Sequence, residues 1–133
     1  MRAIALTETM DSDAEVFQPC QIVCLEHQNR CLYAEIIQVL PDRGRLWLRP
    51  LMLGIWSLDD DANFRDPPRE LYDLREGADL VWPIAGFRFA LDTEVIPLLM
   101  QLETLTKTPE HPILAHRQLR NFVDRVWQAS EDD

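Results

Sequence analysis

Four possible ligands for a soft metal lie close together in the first third of the chain. They fall within twelve residues, and they are Cys20, Cys24, His27 and Cys31. Cysteine and histidine bind zinc tetrahedrally, but structural zinc sites usually take their ligands as close pairs on turns. Alternation along a strand instead directs Cys24 and His27 to opposite faces. The spacing therefore favours buried, reduced thiols, and we predict neither a metal nor a cofactor here.

An acidic segment further along the chain is the second candidate metal site. Oxygen-bearing side chains occupy positions one, three, five and twelve of a calcium-loop template that would run over residues 59–70. Position six of that template requires glycine, and here it is Phe64. Two consecutive prolines, Pro67 and Pro68, stiffen the second half of the segment. These departures favour a solvated acidic loop over a calcium site.

No arrangement of residues identifies a reaction. The available general bases are His27, His111 and His116, but neither a serine nor a cysteine lies in a nucleophile-elbow motif. The four glycines form no phosphate-binding loop. The segment around His111 has the pattern of an ordinary helix start, with an acid ahead of the first turn. We therefore assign no catalytic residue and favour a non-enzymatic protein.

Aromatic, arginine and acidic side chains are the best indication of a function. Trp, Tyr and Arg dominate protein interfaces, and four tryptophans exceed what a small core easily hides. An acidic, aromatic-bearing surface predicts an interaction or assembly module that binds a protein partner of basic character. A homodimer is the alternative partner. The predicted interaction surface comprises Trp47, Arg49, Trp56, Asp59, Asp60, Asp61 and Trp82.

The charge balance excludes other classes of function. The 133-residue chain has 23 acidic and 13 basic residues, and a net charge of −10 repels the phosphates of nucleic acid. The longest apolar stretches are far shorter than the ~20 residues of a transmembrane helix. The first fifteen residues lack the basic and apolar segments of a signal peptide. We therefore expect a cytoplasmic protein that binds no nucleic acid and has no transmembrane segment.

Residues 21–56 predict the centre of the fold. They contain three short apolar runs, separated by turn signals at residues 28–29 and 41–44, which is typical of an antiparallel meander. Two later runs at residues 80–82 and 87–91 add strands four and five. Closing five short strands into a small SH3-like barrel removes exposed edges; the alternative is an open, curled sheet covered by helices.

Two helices follow the strands. Residues 92–94 carry acidic and hydroxyl capping groups, and the first helix is predicted to begin one or two residues before Pro97 and to end near Leu105. A second helix is predicted to end near Ser130. Its apolar stripe has three- and four-residue spacing, so it must pack against another element, and we predict an αα-hairpin docked on the sheet. The stripe comprises Leu119, Phe122, Val123, Val126 and Trp127.

The predicted fold class is therefore α+β, within one domain over residues 1–133. We divide it into a flexible acidic arm at residues 1–17, the β-barrel or meander at residues 18–92, and two helices at residues 93–130. An alternative function uses a pocket between the β part and the helices, which would bind a small ligand or act as an enzyme. That pocket would be lined by Trp82, Phe87, Arg88 and His116.

Two longer phrases of the sequence resemble a family. The runs CLYAEIIQVLPDRGRLWLRPLML and LVWPIAGFRFALDTEVIPLL, which lie within residues 31–99, are similar to small uncharacterised proteins of cyanobacteria. The resemblance covers the predicted β part and the first helix. It implies a bacterial protein that is cytoplasmic or peripherally associated with thylakoids. It brings neither a catalytic residue nor a function to this chain.

Overall fold

The computed structural model describes residues 17–58 and 66–132, and in them an antiparallel sheet of six strands is followed by two helices. The architecture is therefore α+β, as predicted. The strands are β1 (Ile22–His27), β2 (Arg30–Leu40), β3 (Arg45–Ile55), β4 (Glu70–Asp73), β5 (Leu80–Pro83) and β6 (Phe87–Phe89). The helices are α1 (Asp92–Thr104) and α2 (His111–Asp132).

The sheet is organised around β3, which pairs with β2 along one edge and with two short strands along the other. Residues 45–48 pair with β5 and residues 52–55 pair with β4. The strand order is β4-β3-β2-β1-β6, with β5 beside β4 on the same edge of β3. Gln28 has a positive φ in the β1–β2 turn, and Gly44 has one after the short 3-10 turn Pro41–Arg43. Both predicted hairpins are thus present.

The sheet does not close into the predicted SH3-like barrel. Among the described strands, β4 and β5 lie at one end of the sheet and β6 at the other, and the two ends do not pair. The sequence also predicted five strands, whereas residues 70–83 form both β4 and β5. A long central strand and a helix on each face bury the apolar side chains, so closure is not needed for burial.

Two irregularities interrupt the β2–β3 pairing and change which side chains share a face. Ile37 has no partner between the pairs Ile36–Leu48 and Gln38–Trp47. A β-bulge of this kind inserts one residue, so Val39 packs on the same face as Ile36 although strict alternation would separate them. The second shift leaves Leu51 unpaired beside Pro50, which has no backbone donor to offer the ladder.

The two helices cover opposite faces of the sheet. On one, here the α2 face, Leu32 and Leu48 pack with Ala115 and Phe122 of α2. On the other, the α1 face, strand residues pack with Val95, Leu98 and Leu102 of α1. The predicted αα-hairpin on one side of the sheet is therefore wrong. Each helix has an apolar stripe that could pack on either face of the sheet. Periodicity therefore does not predict which face each helix covers.

The predicted apolar stripe of α2 does pack within the chain, so that expectation is confirmed. Phe122 is fully buried, and Leu119, Val123 and Val126 pack around the same core. Trp127 is partly exposed and contacts Trp82 edge-on, with ring centroids 5.6 Å apart.

Several boundaries differ from the predicted ones. Phe17, placed in the acidic arm, is buried and packs on Phe89 with ring centroids 4.9 Å apart; residues 1–16 lie outside the described part. Helix α1 begins at Asp92, so Pro97 lies inside the helix instead of near its start. Proline there removes one intrahelical hydrogen bond, which is tolerated on this exposed side.

Candidate functional site

The predicted interaction surface separates into parts. Trp47 and Arg49 lie together on the α1 face, whereas Trp56 and Trp82 are buried on different faces. Residues 59–61 lie outside the described part of the chain. Of the four predicted residues that the structure describes, it brings two, Trp47 and Arg49, together as an exposed pair.

Trp47 and Arg49 form an exposed strip with Val81 and Asp79, and we call these four residues the Trp47 strip. Trp47 is 37% exposed and Val81, its cross-strand partner, is 47% exposed. The indole N–H of Trp47 donates to Asp79 Oδ2 at 3.1 Å, and Arg49 Nε lies 4.0 Å from Asp79 Oδ1. The Asp79 carboxylate thus contacts both the Trp47 indole and the Arg49 guanidinium. Because these side chains are already ordered, they lose less conformational entropy when a partner binds.

Trp56 is a core residue, which corrects its assignment to the surface. Its side chain is only 2% exposed, and its indole N–H donates to the Asp66 carbonyl at 2.6 Å. Gly54 makes this position possible, since a Cβ there would lie 2.5 Å from the Trp56 ring. Asn29 also donates from its side chain to the Trp56 carbonyl at 2.7 Å. This tryptophan fixes the β1–β2 turn against the end of β3.

Trp82 is also buried, and it lies on the α2 face. Cross-strand pairing opposite Leu46 sets its orientation, because neighbouring residues on β5 alternate. Alternation therefore exposes Val81 on the α1 face and buries Trp82 on the other. The amino-acid composition alone does not show that Val81 is exposed and Trp82 is buried.

The four residues proposed for the alternative pocket do not converge. Phe87 is buried on the α2 face, and Arg88, its neighbour on β6, turns to the α1 face. His116 lines a cavity beside α2, whereas Trp82 lines a separate one beside Trp127. The predicted pocket is thus replaced by two cavities, each with only one of these side chains.

A buried ionic network joins the α1 face to the start of α1. Glu94 accepts hydrogen bonds from the Tyr33 hydroxyl at 2.8 Å and from Arg88 Nη2 at 3.1 Å. Arg88 also bonds Glu26. Burial opposes ionisation of Glu94, but the hydrogen bonds from Arg88 and Tyr33 outweigh it and lower the pKa of that carboxyl. The ion pair attaches the first turn of α1 to β2 and β6.

A second network surrounds the buried carboxylate of Asp73. Its oxygens accept from Lys107 Nζ at 2.6 Å and from Arg75 at 2.9 and 3.0 Å. Burial works against ionisation here too, but Arg75 and Lys107 hold the pKa of Asp73 well below its usual range. The backbone N–H of Asp73 donates to His111 Nε2 at 3.1 Å. These contacts tie the end of β4 to the segment that enters α2.

Two of the three cysteines, Cys24 and Cys31, are buried on neighbouring strands as predicted, whereas Cys20 is exposed, so its predicted burial is wrong. Burial raises the pKa of the Cys31 thiol, so it stays protonated. His27 turns away and contacts Phe122 on the α2 face, with ring centroids 6.5 Å apart. Residues 17–58 and 66–130 contain no group of three or more side chains arranged to hold a metal ion. Most of the acidic segment at residues 59–70 lies outside them.

Comparison with known proteins gives no family for this chain. No protein-family model, no curated protein and no solved structure matches it. None of the described helices is both long and apolar enough to cross a membrane.

Proposed function

We propose that the protein is a non-enzymatic interaction module whose Trp47 strip binds a basic protein partner. The supporting observation is a tryptophan and an arginine that share one carboxylate and remain exposed on the α1 face of the sheet. Trp and Arg are the residues most enriched among interface positions that carry binding energy. Val81 adds apolar surface beside the indole.

The charge distribution supports a basic partner. Residues 17–58 and 66–130 are close to neutral, with eleven basic and thirteen acidic side chains. Residues 1–16, 59–65 and 131–133 hold the other ten acidic side chains but only two basic ones. In the proposal these acidic segments speed the encounter with a basic protein, and the Trp47 strip makes the contacts that keep it bound.

Affinity capture with variants tests this proposal. The bait proteins are the wild type, Trp47→Ala and Trp127→Ala, the last being a tryptophan of similar exposure on the α2 face. We expect a basic protein to be retained by the wild type and by Trp127→Ala and to be lost from Trp47→Ala. Raising the salt from roughly 0.05 M to 0.5 M should weaken retention, since ions screen the steering charges.

Titration with poly-lysine separates the two parts of the proposal. Poly-lysine should bind all three proteins equally, because charge alone attracts it to the acidic segments. Equal retention of the captured protein by the wild type and Trp47→Ala would contradict a role for the Trp47 strip. If the wild type instead retains only its own chain, the partner is a second copy and the basic-partner proposal is wrong.

A further inference from the structure

A cavity of about 390 Å³ lies between α2 and the segment that connects β4 to β5. Its volume falls within the roughly 300–1,000 Å³ typical of small-molecule sites, and it opens to solvent, because Glu76, Gly77 and Ala78 on its wall are exposed. It is separate from the Trp47 strip, although Asp79 contributes to both. The apolar side chains on its wall are Leu74, Ala78, Leu80, Pro112, Ala115, Leu119 and Val123.

The cavity exists because small residues face an apolar column of α2. Ala115, Leu119 and Val123 are four residues apart, so they stack along one side of the helix. Opposite them the connecting segment offers Gly77 and Ala78, which are too small to fill the space. The Gly77 N–H donates to the Leu74 carbonyl at 3.0 Å, and this tight turn keeps the segment from collapsing onto the helix.

Both ends of the connecting segment are fixed. At one end Asp73 is held by Arg75 and Lys107, and its backbone donates to His111 at 3.1 Å. At the other end Asp79 accepts from the Trp47 indole. A site whose walls are already ordered loses little entropy when a ligand binds.

The charged side chains at the rim disfavour an anion. Of the four carboxylates that line the cavity, three are exposed at the rim, whereas Asp73 is buried and pairs with Lys107 and Arg75. Of the two permanent cations that line it, Lys107 is therefore already paired and Arg120 is left. Two histidines also line it, His111 and His116, and His111 Nε2 already accepts from the backbone N–H of Asp73. The apolar wall and the acidic rim together select a ligand without negative charge. The four carboxylates are Asp73, Glu76, Asp79 and Asp124.

We propose that this cavity binds a small, neutral, mainly apolar compound. Such a ligand covers the apolar column of α2 and leaves the charged rim in water. The site does not depend on the proposed function, because Trp47, Arg49 and Val81 lie on the other side of the sheet and Asp79 alone of the strip also lines the cavity.

Two fluorescent probes test the proposal on the full chain. N-phenyl-1-naphthylamine is neutral, and 1-anilinonaphthalene-8-sulfonate has the same ring system with a negative charge. We expect the neutral probe to bind in a saturable way and the anionic one at least about tenfold more weakly, since the carboxylates at the rim repel a sulfonate. Equal or tighter binding of the anionic probe would overturn the assignment of a neutral ligand.

Two matched variants locate the bound probe. Ala78→Phe fills the cavity from its exposed loop, and Ala85→Phe places the same ring in the other cavity, of about 400 Å³, beside Trp82. We expect Ala78→Phe to abolish saturable binding and Ala85→Phe to leave it unchanged. Both alanines are exposed, so both variants should fold, which circular dichroism verifies. Loss in Ala85→Phe alone, loss in neither variant, or no saturable binding by the wild type would each overturn the proposal.

Discussion

The two faces of the sheet are stabilised in different ways. Helix α1 is fixed by apolar packing and by the buried carboxylate of Glu94, which pairs with the partly exposed Arg88 and accepts from Tyr33. Helix α2 packs through apolar contacts around Phe122, and beside it the structure leaves a cavity of about 390 Å³. A buried carboxylate fixes one geometry because it loses much when separated from its cation, whereas apolar contact is non-directional.

Unsatisfied hydrogen-bond donors mark the same difference. On the α2 face, Nε and Nη1 of Arg30 are buried and find no hydrogen-bond partner among the described residues. Burial and the nearby Arg125 both lower the pKa of Arg30. On the α1 face, by contrast, Arg88 bonds two carboxylates. The α1 face is therefore the more completely satisfied of the two, and the proposed ligand site lies on the looser one.

The largest expected effect comes from breaking the apolar packing of α2. Phe122→Ala should lower the free energy of unfolding by about 3–5 kcal/mol, the usual loss for a buried aromatic. Trp127→Ala on the same helix is the control, with an expected loss of about 0.5–1.5 kcal/mol from its contact with Trp82. Urea unfolding followed by circular dichroism measures both.

Protein concentration distinguishes packing within the chain from a dimer seam. We expect the melting temperature of Phe122→Ala to be low and independent of concentration, because the side chain packs on its own sheet. A variant that stays as stable as the wild type but sediments as a smaller species would show that α2 packs between chains.

On the α1 face the ion pair is the feature to break. Glu94→Gln keeps the shape of the side chain but removes its charge, so Arg88 and Tyr33 lose a charged acceptor. Hydrogen bonds to charged groups contribute about 1.5–3 kcal/mol each, and the partial exposure of Arg88 places the expected loss near the lower limit. Glu103→Gln, which removes an exposed carboxylate bonded to Arg75, should change stability by less than about 1 kcal/mol. Thermal unfolding at neutral pH compares the two variants.

Acid should weaken both carboxylate networks, the one around Glu94 and the one around Asp73. The pKa values of Glu94 and Asp73 are lowered in the folded state, so both groups add stability above the unfolded pKa values of about 4. That stability is lost as the pH falls through the lower folded values. Melting temperatures should therefore decline below about pH 4.5, and Glu94→Gln should decline less steeply than Glu103→Gln. Parallel acid profiles for the two variants would contradict the assignment to Glu94.

The features that could be predicted from the sequence are those set by residues close together in the chain. Both hairpin turns and the α2 stripe were found because turn residues and periodicity are local signals. Alternation does not predict which face the β2 residues after Ile37 occupy, because a bulge is decided by the pairing of two strands. Tyr33 and Glu94 are 61 residues apart, so their hydrogen bond has no local signal. The cavity had only a weak one: small residues, Gly77 and Ala78, ahead of β5.

The smallest expected effect compares one arginine from each face. Arg30→Met removes a guanidinium that has two buried, unpaired nitrogens, and methionine keeps the apolar stem, so stability should be unchanged or rise by up to about 1 kcal/mol. Arg88→Met leaves the Glu94 carboxylate buried without its cation and should lower stability. Urea unfolding of both variants gives the two signs. A loss in Arg30→Met as large as that in Arg88→Met would mean that Arg30 is paired in solution, and the two faces would then be equally satisfied.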